Sequence, residues 1–313
     1  MTNAYVDMNA YLEPIILIGA IIIGASTGIV YSIHSSIVDY SIISMLCCLF
    51  FNISIGHLLK GVKNKKYLSI AWIVNFVLLP TIAFVISSIF VNNSSMVFVG
   101  LIFYLVAPCT DWFLGFTKLA DGDVDVNCAL LPINLLSQIL LLPVYLLLFT
   151  SSGAQIEISA FFEVFLYWVL YPFLLAQCLR FLCRKMGEVI VEKSSVFAER
   201  GMVVSLTILV FAIFNNNIQS LVSNLSILPV TLLVVACFFL ITYFLGLFIS
   251  KKARFTNAEK ASLIMTSSAR NTPLMLAISI GVFPNETVIQ LILILGMLIE
   301  FPHLILLSFL LRK

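Results

Sequence analysis

Three ionisable residues stand where an apolar chain can least accommodate them. Asp111 interrupts the run 97–120, Arg270 interrupts the run 259–283, and Glu300 lies midway along LGMLIEFPHLIL at 295–306. A charge near the centre of a bilayer costs at least about 2.5–3.5 kcal/mol on insertion scales. Each of the three therefore needs a partner or a polar cavity. Asp111 and Arg270 read either as a buried ion pair pinning two helices or as charges that face a substrate, and the two readings are compatible. Glu300 reads as a proton or cation site, or else as a buried, hydrogen-bonded acid. His303, three residues on and on the same helix face, reads as a hydrogen bonder sheltered from lipid in preference to a proton relay. A guanidinium keeps its proton at any physiological pH, so cycling of charge falls to Glu300.

The neighbours of Asp111 and Arg270 are as informative as the charges. Pro108, Cys109 and Thr110 precede the first; Ser267, Ser268, Asn271, Thr272 and Pro273 surround the second. Proline removes a backbone donor and clashes with the preceding turn. The freed groups persist at membrane depth only where they face protein or a wet cavity. Both breaks are therefore candidate substrate sites, with Cys109, Thr110, Asp111, Ser268, Arg270 and Asn271 as the binding groups. Asn134 and Gln138, four residues apart on one helix face, read as interhelical packing or as cavity lining. Taken alone, Cys109 reads as a small buried hydrophobe. Gly24 and Gly28, also four apart, suit close helix packing. No catalytic group, metal site or cofactor is expected, since no Gly-x-x-x-x-Gly-Lys loop occurs and the chain leaves no room for a soluble catalytic domain.

The elements that hold these residues are transmembrane helices. Hydrophobic residues make up 61% and charged residues 10%, against about 25% charged in a soluble domain. Ten apolar runs are read, at 14–33, 38–59, 67–91, 95–120, 124–150, 157–182, 200–221, 225–250, 257–283 and 286–311. The first thirteen residues lack Lys and Arg, so the first run is expected to be a retained helix rather than a signal peptide. Every Lys and Arg except Arg270 falls on one side of this ten-span path, including Lys60 to Lys66, Arg180 to Arg200 and Lys251 to Lys260. The positive-inside rule then places both termini in the cytoplasm of a multi-pass inner- or plasma-membrane protein. The stretch 180–200 is expected to be a connector and 215–224 an outer loop. No structural disulfide is expected among the seven cysteines.

The two breaks fall in corresponding places, the fourth span of the first five and the fourth of the second five. An odd number of spans per half forces the halves into opposite orientation. The expected fold is all-α and integral to the membrane: ten transmembrane helices as two five-helix inverted repeats, with broken, crossing helices four and nine. That arrangement points to a secondary transporter with its site at the breaks. A membrane scaffold or sensor would have no evident use for three intramembrane charges.

The segments APCTDWFLGFTKLADGDV (107–124), LLPINLLSQILLLPVYLLLF (130–149), SSARNTPLMLAISIGVFP (267–284) and LGMLIEFPHLIL (295–306) resemble the bile acid:sodium symporter superfamily. Within it the chain is most similar to the arsenical-resistance branch of arsenite permeases. The resemblance implies one transporter domain over 1–313. Panel helices would cover about 14–59 and 157–221, and core helices about 67–150 and 225–311. It also implies that Cys109 engages arsenite and that Glu300 couples protons. Sodium-coupled members carry Ser-Asn where this chain has Phe113-Leu114, and Glu and Gln where it has Thr266 and Arg270. A guanidinium there would repel sodium. The branch's Arg before the span-four cysteine is Pro108 here. The expectation is proton-coupled efflux of arsenite or a similar small oxyacid. The alternative is an organic-anion carrier of the same superfamily, possible with sodium coupling, in which Arg270 at the positive end of a broken helix binds a carboxylate or sulfonate. The expected partners are a small-molecule substrate, a coupling proton in preference to sodium, and the lipid bilayer, without nucleic acid.

Overall fold

A computed structural model describes residues 2–34, 36–52, 64–110, 113–149, 166–223 and 226–312; for 2–14, 168, 220 and 221 only the backbone is described. Among the described residues there are helices and no β-strand beyond one isolated bridge. In chain order they are α1 (Thr2–Gly28), α2 (Ser36–Asn52), α3 (Lys65–Phe90), α4 (Met96–Leu105), α5 (Phe113–Leu119) and α6 (Val124–Phe149). Then follow α7 (Tyr171–Met186), α8 (Glu188–Ser223), α9 (Ile227–Ala253), α10 (Asn257–Ser268), α11 (Thr272–Val282) and α12 (Thr287–Leu311). Of these, α3, α6, α9, α12 and the Glu188–Gln219 part of α8 are long and apolar enough to cross a membrane. The shorter apolar helices include α2, α4, α11 and the Ile15–Gly28 part of α1.

The interruptions expected in the fourth and ninth runs are present. One run divides into α4 and α5, the other into α10 and α11. Proline also shapes unbroken helices. In α3 the turn Val74–Leu78 is π-helical, just before Pro80. Pro80 cannot bond back to the carbonyl four residues earlier. That carbonyl, Phe76 O, accepts instead from the Tyr145 hydroxyl of α6 at 2.6 Å. The turn Leu166–Leu170 before Pro172 is π-helical too.

Two stretches between the expected runs are helical, and the second replaces an expected loop. The stretch 180–200 is helical on both sides of Gly187, whose φ of 126° makes the turn. Its charged residues solvate a helix surface, and Arg184 meets Glu188 at 3.5 Å on that exposed surface. The stretch 215–223 is helical as well, with a kink at Asn217. Asn217 Nδ2 donates to Ile213 O at 2.9 Å and so holds the turn across the kink. Parts of the second and sixth runs, 53–59 and 157–165, lie outside the described residues.

Packing divides the helices into two sets. α8 lies along α1 and α2, and α7 lies along α2 and α8. Gly24 and Gly28 bring α1 onto α8 closely enough that an added Cβ would stand 2.5 Å from Phe211 O and 2.2 Å from Asn215 O. In the second set α12 lies along α4, α9 and α11, and α9 lies along α10 and the end of α3. At the end of this set that carries Lys65 and Lys66, Asn127 of α6 is fully buried. It accepts from Tyr67 of α3 at 2.7 Å and donates to Thr117 of α5 at 3.0 Å and to Ser262 O of α10 at 3.1 Å. The sets meet where α12 touches α1 and α8 and where α11 touches α2.

Candidate functional site

The two breaks meet face to face. Cys109 N donates to Ala269 O at 3.0 Å and Asn271 N donates to Ala107 O at 3.0 Å. Pro108 and Arg270 thus form a single antiparallel bridge. Backbone that leaves a helix inside an apolar region must find other partners. Here two backbone bonds join the breaks and hold α4–α5 against α10–α11. Asp111 lies outside the described residues, and so does the expected Asp111–Arg270 pair.

Arg270 is fully buried. Its Nη1 donates to Leu105 O at 2.8 Å, and its Nη2 donates to Ser267 O. Leu105 closes α4 and Ser267 stands in the last turn of α10. Carbonyls at a helix C-terminus have no partner within the helix and carry the negative end of its dipole. The guanidinium therefore neutralises two helix ends at once, with the Phe238 ring 5.3 Å from its carbon. Sequence position alone suggests a different picture, because the Arg270 backbone immediately precedes the positive N-terminus of α11. The side chain turns back from that end toward the two negative ones.

Glu300 is also fully buried. Its Oε1 accepts from the backbone N–H of Arg270 at 3.0 Å, so the acid sits at the N-terminal approach to α11, where negative charge is favoured. Its Oε2 lies 3.1 Å from the hydroxyl of Tyr104, which is 2.8 Å from Gly296 O. His303 stacks flat on Phe239, with centroids 4.3 Å apart.

Neutral polar groups fill the rest of the crossing. The Asn271 side chain accepts from Leu274 N at 3.4 Å and so caps α11. Its Nδ2 donates to Thr110 Oγ1 at 3.0 Å and to Gln138 Oε1 at 3.3 Å. Asn134 of α6 and Asn75 of α3 both donate to Thr266 Oγ1, at 3.5 and 3.3 Å. Several buried polar atoms have no hydrogen-bond partner: Asn75 Oδ1, Asn134 Oδ1, Gln138 Nε2, Ser267 Oγ, Ser268 Oγ, Arg270 Nε and Thr272 Oγ1. Such orphans are rare in protein interiors and need an explanation. Cys109 is buried within the bridge itself.

Of the residues selected from sequence, Cys109, Thr110, Asn271, Gln138, Arg270 and Glu300 come together at the bridge. Asn134 joins through Thr266, and Ser268 lies in the last turn of α10. Sequence reasoning missed Asn75 and Tyr104. Asn75 carried a signal, as an amide within the apolar run 67–91. Tyr104 carried none, because a tyrosine in an apolar helix looks like core.

Residues 40–224 match the Sodium Bile acid symporter family model, a region that includes the first break. The arsenical-resistance protein Acr3 of Corynebacterium glutamicum is 25% identical over 259 residues, covering 77% of this chain and 69% of that protein. These likenesses and the apolar helices make the chain a multi-pass membrane transporter and not an enzyme. The chain belongs to the sodium bile acid symporter family.

Proposed function

We propose that the chain is a proton-coupled exporter of a small neutral oxyacid, with arsenous acid as the substrate. One observation carries this reading: at the crossing both Nη atoms of Arg270 and the Glu300 carboxyl are engaged by the backbone, and the unpartnered groups, Arg270 Nε apart, are neutral. Both Nη atoms of Arg270 donate to helix-end carbonyls, and Glu300 accepts from a backbone N–H. An anionic substrate would have to compete with those carbonyls for the Nη donors and would find a single N–H, that of Nε, unengaged. A neutral hydroxylated molecule needs only donors and acceptors. The orphaned amides and hydroxyls of Asn75, Asn134, Gln138, Ser267, Ser268 and Thr272 supply both. Cys109 contributes a thiol, a ligand suited to arsenic. The arsenical-resistance function in the relative's name points the same way.

The wider architecture of the proposal is two five-helix inverted repeats in one domain, 1–313, with both termini cytoplasmic in an inner or plasma membrane. The panel, about 14–59 and 157–221, is supported by the packing of α1, α2, α7 and α8 on one another. The core, about 67–150 and 225–311, is supported by the packing of the remaining helices around the bridge. Alternating access is then movement of one set against the other, with the crossing as the fixed site. Glu300 takes a proton from one side and releases it to the other. Coupling to sodium is disfavoured because a permanent guanidinium already holds the two carbonyl-bearing helix ends.

Expression in a strain lacking its own arsenite exporter tests the substrate. The chain should restore growth on arsenite, and Cys109→Ala, present in the membrane at equal level, should not. Absence of restoration by the unsubstituted chain, with flux of an organic anion in vesicles, would overturn the reading.

A further inference from the structure

Tyr104 lies where the acid and the end of α4 come together. Its hydroxyl is within reach of two partners, Gly296 O at 2.8 Å and Glu300 Oε2 at 3.1 Å. A phenol has one proton to donate and lone pairs with which to accept. Gly296 O can only accept. Glu300 Oε2 accepts when ionised and donates when protonated. With Glu300 protonated, every group in the chain of bonds is served. The acid donates to Tyr104, Tyr104 donates to Gly296 O, and the Arg270 N–H donates to Glu300 Oε1. With Glu300 ionised, the Tyr104 proton turns to the carboxylate, because a charge-assisted bond is the stronger one. Gly296 O then loses its side-chain partner.

The packing leaves the phenol little other freedom. A Cβ at Gly296 would stand 2.6 Å from Tyr104 Cζ, so the glycine lets the ring lie directly on α12. Gly100, one turn earlier on α4, is similarly tight, its added Cβ falling 2.8 Å from Ile292 Cδ1. Tyr104 and Glu300 are both fully buried, so bulk water does not compete for these bonds. The titratable groups around the pair are Arg270 and Cys109 from the two breaks; His303, one turn on along α12, stacks on Phe239. The residue after Tyr104 is Leu105, whose carbonyl holds Arg270 Nη1.

We propose that Tyr104 is the positioning residue of the coupling acid, its hydroxyl hydrogen switching between Gly296 O and Glu300 Oε2 as Glu300 gains and loses its proton. The switch transmits the state of the acid to the end of α4 and, through Leu105 O, to the crossing. Only a proton moves: it enters on Glu300 from water on one side and leaves to water on the other. The inference rests on Glu300 as the coupling acid, and its test separates the two claims.

Infrared difference spectra of the full chain in lipid vesicles, taken between acid and alkaline buffer, read both groups without any substrate. The Glu300 carboxyl band is identified as the one lost in Glu300→Gln. In Tyr104→Phe, which keeps the ring, that band should move to higher wavenumber because the acid proton has lost its acceptor. In the unsubstituted chain a tyrosine C–O band should change in step with the carboxyl band, and the change should vanish in Glu300→Gln. This second readout decides the matter if Tyr104→Phe does not fold. A Glu300 band unmoved in Tyr104→Phe, or no coupled tyrosine change in the unsubstituted chain, overturns the switch while leaving the acid in place. No carboxyl band lost in Glu300→Gln overturns the coupling acid itself, and the switch falls with it.

Discussion

Replacing Arg270 with methionine should destabilise the crossing far more than it removes contacts with any solute. The substitution strips the donors from Leu105 O and Ser267 O. Each buried carbonyl left unsatisfied costs about 1–3 kcal/mol, hence about 2–6 kcal/mol for two. The contact of the guanidinium with the Phe238 ring, at 5.3 Å, adds about 2 kcal/mol where desolvated. Methionine in turn avoids the cost of burying a cation. The net loss should fall near about 3–5 kcal/mol, the range for removing one member of a buried charged arrangement. Arg270→Lys keeps the charge but not the planar fork, so it should fall between. Equilibrium unfolding in mixed detergent micelles measures all three proteins. A loss under about 1 kcal/mol, roughly what a minor contact contributes, would refute the role of the guanidinium at the helix ends. An arginine that instead binds a substrate anion would show the reverse pattern, with stability kept and affinity lost.

Gly296→Ala places a Cβ 2.6 Å from Tyr104 Cζ and should cost about 1–3 kcal/mol as overpacking, read in the same unfolding assay. Asn127→Ala removes the amide that joins α3, α5, α6 and α10; the partners left behind should cost about 2–4 kcal/mol, and a neutral result would show that the network is not structural. Reporter fusions after Asn93, Gly153, Asn217 and Asn285 should all read outside, and any one reading cytoplasmic would break the proposed topology.

The breaks were legible because proline and charge inside an apolar run have few structural explanations. Pro108 with Asp111, and Arg270 with Pro273, mark the places where α4 ends and α11 begins. What the breaks do for each other was less legible. The Pro108–Arg270 bridge joins residues more than 150 positions apart, and no local pattern announces it. The direction of Arg270 was hidden for a related reason: a long side chain beside a helix N-terminus can turn back toward other helix ends, and only their arrangement decides. Asn75, Thr266 and Tyr104 are single polar residues within apolar helices, where periodicity says which face is buried but not which neighbour waits there. The stretch 180–200 reads polar because it is solvated, and solvated residues of good helix propensity continue a helix until Gly187 turns it.

Proton-driven flux through Glu300 is the central claim. Purified protein in sodium-free vesicles, loaded with arsenite on one side and given a pH gradient, measures it directly. Arsenite should move against its own gradient in the unsubstituted chain. In Glu300→Gln, which holds the acid in its neutral form, the protein should fold and insert but drive no uphill flux. Flux that requires sodium, or that survives Glu300→Gln undiminished under the same pH gradient, would contradict the account.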